Sequence, residues 1–255
     1  MPAANKRADA TPVQMFLGRL LRRSVLMGAE QDAVLTLPFD TTIVGANRDF
    51  VGMGQKTDHA CLVSDGLVGR FAQTGAGDRQ IIAFHIPGDM ADLQSVATPH
   101  AISPLQALTS ATIIRIPHTA LRAIATEYPA IAHAFWRDTQ VDHGIVCQSL
   151  VNLGRRDAAS RLAHLLCEMG IRYEQIEQGT RTRYVFPATQ NHIADALGLT
   201  PIHVNRTLRV LRENGLVTMA SKEVTILDWD RLAKRAEFDP SYLQCSQVDF
   251  HGAGR

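Results

Sequence analysis

Apolar positions follow several distinct rhythms along this chain of 255 residues. Between residues 40 and 116 they come in short runs rich in β-branched side chains, at 61–64, 67–72, 80–86 and 105–116. Gly66, the run Gly75-Ala76-Gly77-Asp78 and Pro87-Gly88-Asp89 punctuate them, which predicts short antiparallel strands in a barrel or jelly roll. Over residues 128–153 the spacing becomes helical. Ile131, Phe135, Val141, Ile145 and the Ser149 position recur near every seventh residue, interrupted by Asp138 and Asp142. Such a stripe needs a partner, either the barrel or a second copy of the helix. Ala158, Leu162, Leu165, Leu166 and Met169 continue at helical spacing and predict a supporting helix. Upstream, residues 15–26 set Phe16, Leu17, Leu20 and Leu21 against Arg19, Arg22 and Arg23. This pattern predicts a helix packed on the next domain, with a membrane-surface helix as the alternative.

The densest local signal is TQNHIADALGLTPIHVNRTLRVLRENGLV, residues 189–217. Thr189 is placed to cap a short helix with Ile193 and Leu197 on its inner face, and Gly198 stands where a helix ends in a left-handed residue. Thr200 then caps a second helix, with Pro201 at the first position, where its missing N–H costs nothing. Val204, Leu208 and Leu211 predict the buried face, and Ile202, Asn205, Arg206 and Arg209 the outer one. Arginine pairs bidentately with the O6 and N7 edge of guanine and asparagine with the N6 and N7 edge of adenine, so this outer face suits a DNA major groove. Ile202 is the apolar exception, suited to a thymine methyl group or to a neighbouring loop. Thr189, Gln190, Thr200 and His203 complete the predicted DNA-binding set at the two helix starts. Residues 217–219 and 224–227 then predict a hairpin wing, with Lys222 at its tip within reach of a phosphate.

Bulk chemistry adds exclusions. The formal charge is +1, so a nucleic-acid surface has to come from local clustering such as Arg206, Arg209 and Arg212. Cys61, Cys147, Cys167 and Cys245 are widely spaced and form neither a disulfide framework nor a C-x-x-C clip, which predicts a reducing, cytoplasmic setting. No apolar run predicts a membrane span, and the first residues do not resemble a signal peptide. The ten histidines include no H-x-H pair in the barrel, and there is no recognisable catalytic triad, P-loop or dinucleotide glycine motif. A cupin-like metal-dependent enzyme with an accessory helix-turn-helix is the alternative to a non-enzymatic DNA-binding regulator.

HACLVSDGLVGRF, RQIIAFHIPGDM, GRRDAASRLAHLL and the reading unit together resemble the Crp/Fnr family of bacterial transcription regulators. RQIIAFHIPGDM is closest to the Fnr and FixK branch. The resemblance implies an α+β protein: an N-terminal cyclic-nucleotide-binding-like jelly roll, a long dimerisation helix and a C-terminal winged helix-turn-helix. It divides the chain into a disordered tail (1–12), a sensor (13–127), a dimerisation helix (128–153), a DNA-binding domain (154–228) and a terminal helix and tail (229–255), the last expected either to pack or to be disordered and to carry no function. It implies a homodimer on a roughly palindromic promoter, RNA polymerase as a further partner, and control by an effector or redox signal. The family's base-contacting arginine falls on Arg206. The reading-helix glutamate of many relatives falls on Ile202, so their target sequence does not transfer.

Gly88, Ala91, Asp92 and Ser103 are the expected effector-pocket residues. Cyclic AMP is disfavoured because no arginine lies between Asp89 and Ile114, and a buried phosphate needs a cation. An iron–sulfur cluster is disfavoured because no cysteine precedes Cys61. Haem through His85 or Cys61 is formally allowed, but a lone strand histidine is ordinarily structural. No cofactor is identified. Cys147, on the predicted dimer helix, is the candidate redox thiol.

Overall fold

The computed structural model describes residues 11–244. It opens with α1 (Pro12–Leu21) and α2 (Gly28–Leu35). The strands β1 (Asp40–Val44), β2 (Arg48–Val51), β3 (His59–Asp65), β4 (Val68–Gln73), β5 (Arg79–His85), β6 (Leu105–Ala107) and β7 (Ala111–Pro117) follow. They form two antiparallel sheets, ordered β1-β7-β3 and β2-β6-β4-β5. Val51, Cys61, Val63, Val68, Leu105 and Ile113 pack into one buried cluster between them. The single apolar run at 105–116 is thus two strands. Gly66, at φ +88°, makes the tight β3–β4 turn, where a Cβ would stand 2.5 Å from the Ser110 carbonyl oxygen.

The helices α3 (His118–Glu127), α4 (Pro129–Arg155) and α5 (Ala158–Gln175) come next. The C-terminal part is β8 (Gly179–Thr180), β9 (Arg183–Val185), α6 (Gln190–Leu197), α7 (Pro201–Glu213), β10 (Val217–Ala220), β11 (Glu223–Ile226) and α8 (Trp229–Ala236), with a 3-10 turn at Pro240–Leu243. Its sheet runs β10-β11-β9-β8. None of the helices among the described residues is long and apolar enough to cross a membrane.

Two features differ from the sequence reading, and two more decide between alternatives it left open. First, the expected tail of residues 1–12 ends early: Thr11 caps α1 and Pro12 is its first residue, while residues 1–10 lie outside the described part. Second, Arg19 and Arg23 are buried. Arg19 reaches Asp138 at 2.6 Å and Asp142 at 3.2 Å and also bonds Asp89, and Arg23 reaches Asp138 at 2.7 Å. A basic helical pattern reads as a solvated face, whereas carboxylates from distant segments neutralise this one internally.

Third, the stripe Ile131, Phe135, Val141 and Ile145 is buried within the chain. Ile131 and Phe135 pack with Phe16, Leu20 and Leu62, and Val141 and Ile145 with Ala83, Ile171 and Leu243. The intramolecular partner is the one realised. Fourth, the segment after residue 228 is built into the core: Leu232, Ala236 and Leu243 are buried, and the Tyr242 hydroxyl donates to Glu168 at 2.9 Å. Residues 245–255, including Cys245, lie outside the described part.

One buried cluster spans both halves of the molecule. It joins Leu67, Phe84 and Ile86 of the front half to Leu162, Leu166 and Met169 of α5 and Phe186, Ile193 and Leu197 beyond it. Phe84 and Phe186 meet edge to face at 5.3 Å.

Candidate nucleic-acid interface

Local chemistry builds the α6–α7 unit. The Thr189 side chain accepts from the His192 backbone N–H at 3.2 Å, and the His192 ring accepts from the Thr189 N–H at 3.3 Å, closing a capping box. Gly198 ends α6 at φ 62°, ψ 40°. Thr200 accepts from the His203 N–H at 3.2 Å, with Pro201 at the helix start. Behind α7, Val204, Thr207 and Leu211 are buried, and Leu208 is partly buried against the same core. Thr207 was not anticipated as an inward residue; its hydroxyl donates to the His203 carbonyl at 2.8 Å, and that bond makes a buried position acceptable to a polar side chain.

The outer face carries Ile202, at 82 % exposure, with Asn205, Arg206 and Arg209. Arg206 has no hydrogen-bond or ion-pair partner among the described residues. Arg209 is held by Glu213 at 2.7 Å, which raises its pKa. Asn205 and Gln190 exchange two amide hydrogen bonds at 2.6 Å, tying the helix starts together across the turn. His203 is half-buried at the first turn of α7, beside the cap. On the wing, Ser221 and Lys222 have φ 50° and 68°, so the tip is a tight left-handed turn with Lys222 exposed. Thr189, Gln190, Thr200, Ile202, Asn205, Arg206, Arg209 and Lys222 are all exposed.

Three residues that position this unit escaped the sequence reading. Arg161 donates to the carbonyls of Leu153, Arg156 and Leu197 at 3.0, 2.8 and 3.0 Å, joining the ends of α4 and α6. Arg79 pairs with Asp195 at 2.9 Å, and the Gln80 amide donates to the Ala196 carbonyl at 2.9 Å. Strand β5 of the front half therefore grips the outer side of α6. Neither contact has a signal in the sequence, since both join segments more than a hundred residues apart.

The expected effector residues divide. Asp92 and Ser103 line a cavity of about 250 Å³ with Arg70, Ser95, His100 and Leu105, whereas Gly88 and Ala91 do not line it. Gly88 occupies the preceding turn, at φ +89°, close to Met15 and Ile176. Ala91 is buried; its N–H donates to the Cys61 carbonyl at 2.8 Å, and its carbonyl accepts from Arg70. Asp92 accepts from the Cys61 N–H at 2.6 Å, and burial raises its pKa. Strand β4 brings Arg70 to this cavity, whose own loop contains no arginine.

Cys61 and Cys167 are buried and Cys147 is exposed. Burial pushes the Cys61 thiol far above its ordinary pKa and that of Cys167 up to about 12, so both are inert apolar groups. His85, the formal haem candidate, is buried and held neutral by burial.

A β roll followed by a long helix and a winged helix-turn-helix with an unobstructed reading face defines a DNA-binding regulator. Residues 160–235 match the Crp-like helix-turn-helix domain. The chain is 28 % identical over 193 residues to the nitrogen fixation regulation protein FixK of Azorhizobium caulinodans, covering 76 % of this chain and 77 % of that one. It is 26 % identical over 174 residues to the fumarate nitrate reduction regulatory protein of Klebsiella oxytoca, covering 68 % and 69 %. The solved structure of FixK2 from Bradyrhizobium japonicum shares the fold, with a TM-score of 0.71 at 24 % identity over 78 % of this chain and 97 % of that one. The chain therefore carries a Crp-like helix-turn-helix domain and is similar to transcription regulators of the Crp/Fnr family, FNR and FixK members among them. These relatives lend the metal-dependent enzyme alternative no support.

Proposed function

We propose that this regulator acts in the cytoplasm as a homodimer on a roughly two-fold symmetric promoter site, with Arg206 of each copy reading a guanine. The observation carrying this reading is that Arg206 stands exposed and unpaired while Val204, Thr207 and Leu211 behind it are buried. A rigid backing fixes where the guanidinium points, and its hydrogen-bonding capacity is unspent. Asn205 sits beside it for a second base, Ile202 for a thymine methyl group, and Thr189, Gln190, Thr200, His203, Arg209 and Lys222 for positioning contacts.

A second copy is supported by the side of α4 that the chain leaves uncovered. Trp136, Gln140, His143, Cys147, Leu150 and Gly154 are exposed, and their alternating steps of four and three residues are those of a coiled-coil seam. Paired there, two copies present two reading helices to one side of a duplex. The cavity beside Arg70 and Asp92 is the proposed effector site. Its volume suits a small polar ligand, and Arg70 suits a negative charge. The scattered and mostly buried described thiols support the absence of an iron–sulfur cluster, and RNA polymerase at the promoter is the further partner proposed.

Replacing Arg206 with alanine tests the reading. Affinity for the promoter site should fall about 100- to 10,000-fold, the value of two bidentate base contacts, one from each copy, with circular dichroism and solution mass unchanged. An unaltered footprint would refute the assignment.

A further inference from the structure

The uncovered stripe of α4 carries two soft metal donors one helical turn apart. The Cys147 Sγ lies 3.4 Å from the His143 Nε2, and both side chains are exposed. Zinc–sulfur and zinc–imidazole bonds of about 2.3 and 2.0–2.1 Å put neighbouring donors of a tetrahedral site roughly 3.5 Å apart. The two donors therefore already stand at the length of one tetrahedral edge. Within one chain the set stops at two: among the described residues no group of three His, Cys, Asp or Glu side chains could hold a metal.

A second copy supplies the remainder. His143 and Cys147 occupy successive positions of the seam that also holds Trp136, Gln140, Leu150 and Gly154. The two helices run parallel, since both reading helices must reach the same side of one duplex. In a parallel pair, residues at seam positions face their own symmetry mates, so two histidines and two cysteines converge within one turn on the axis. We infer that two copies together form a Cys2His2 site for zinc or a similar borderline-soft divalent cation, built from His143 and Cys147 of each; this rests on the homodimer proposed above.

The charges balance. Two thiols each release a proton on binding, and the resulting thiolates neutralise the ion while the imidazoles bind as neutral donors. A neutral complex is tolerated in a seam that pairing removes from water, whereas a hard cation finds no carboxylate at the seam positions. The ion would clamp the two helices just above the reading domains, so metal supply would set dimer strength and, through it, promoter affinity.

The test uses the full-length chain, reduced and treated with chelator, then titrated with cobalt(II) and with zinc(II). The expected result is one metal per two chains, with the thiolate-to-cobalt charge-transfer band and the intense visible absorption of tetrahedral cobalt. Zinc should bleach both. His143→Ala and Cys147→Ser should each weaken zinc binding by more than about 100-fold; both sites are exposed, so folding should be unaffected, as circular dichroism will verify. Light scattering in each state separates the layers of the argument. A dimer that binds no metal, or whose binding survives both substitutions, overturns the site alone. A monomer with and without zinc overturns the dimer and the site together. A reduced dimer that ignores zinc yet forms a Cys147–Cys147 disulfide on mild oxidation also overturns the metal site and assigns the pair to redox control.

Discussion

At the scale of single residues, the most consequential feature is the buried charge cluster on Arg19. Asp89, Asp138 and Asp142 all contact its guanidinium, and Arg172 reaches Asp89 at 2.6 Å and Glu168 at 3.1 Å. Burial opposes ionisation of Asp89, but Arg19 and Arg172 overcome it and hold its carboxyl well below the usual range. Asp142 resolves the other way: burial, reinforced by the neighbouring Asp138, pushes it up to about 6 despite Arg19. Its Oδ2 also has no hydrogen-bond partner. A carboxyl whose folded pKa is raised holds its proton in the native state after the unfolded chain has lost it. Its contribution therefore falls as pH climbs from about 4 to about 6 and is flat above. Asp142→Asn should accordingly be more stable than the parent at pH 7, by about 1–3 kcal/mol, with the gap closing near pH 4. Urea titrations at both pH values measure it, and a pH-independent difference would contradict the assignment.

Among elements, the α6–α7 unit was the most legible part of the chain. Its caps, its left-handed glycine and its buried face are local properties of neighbouring residues, and the structure places Thr189, Gly198, Thr200 and Pro201 in those local roles. At Gly198 the requirement is double, because a Cβ would also stand 2.9 Å from Leu153 Cδ2 at the end of α4. Gly198→Ala should cost about 1–3 kcal/mol, read as a lowered unfolding midpoint in urea, and an unchanged midpoint would show that the junction yields easily. Helix α4 was only half legible. Its inner stripe announces itself through Ile131, Phe135, Val141 and Ile145. The outer one is made of Trp, Gln, His, Cys, Leu and Gly, which share a spacing but not a hydropathy. Only the burial of the inner stripe reveals that the outer one is vacant.

For the whole molecule, the continuous core and the ion pairs between front half and reading unit matter more than any division into domains. Arg172 of α5 bonds both the Phe84 carbonyl, at 2.8 Å, and Asp89, and the Asp89 turn leads directly into the segment that lines the cavity beside Asp92. A change in that cavity is therefore mechanically adjacent to α5 and the helices it supports. Arg172→Met would leave Asp89 and Glu168 short of a cation inside the protein, a loss of about 3–5 kcal/mol for a broken buried pair. Calorimetry should show a lower melting temperature and earlier unfolding of the front half. A melting profile matching the parent would show that the pair is dispensable.

The residues by themselves determined what depends on near neighbours: strand runs, caps, the glycine that ends α6, and the outward arginine of α7. These follow from backbone geometry and side-chain periodicity over a few positions. Tertiary structure alone decided what depends on groups far apart in the chain. It brought Arg70 to a cavity whose loop has no arginine, buried Arg19 among three aspartates, and used the apolar stripe of α4 internally while leaving its other side open. Burial changes the energy of a charge by more than any local pattern does, and which side chains are buried together is known only once the chain has closed on itself.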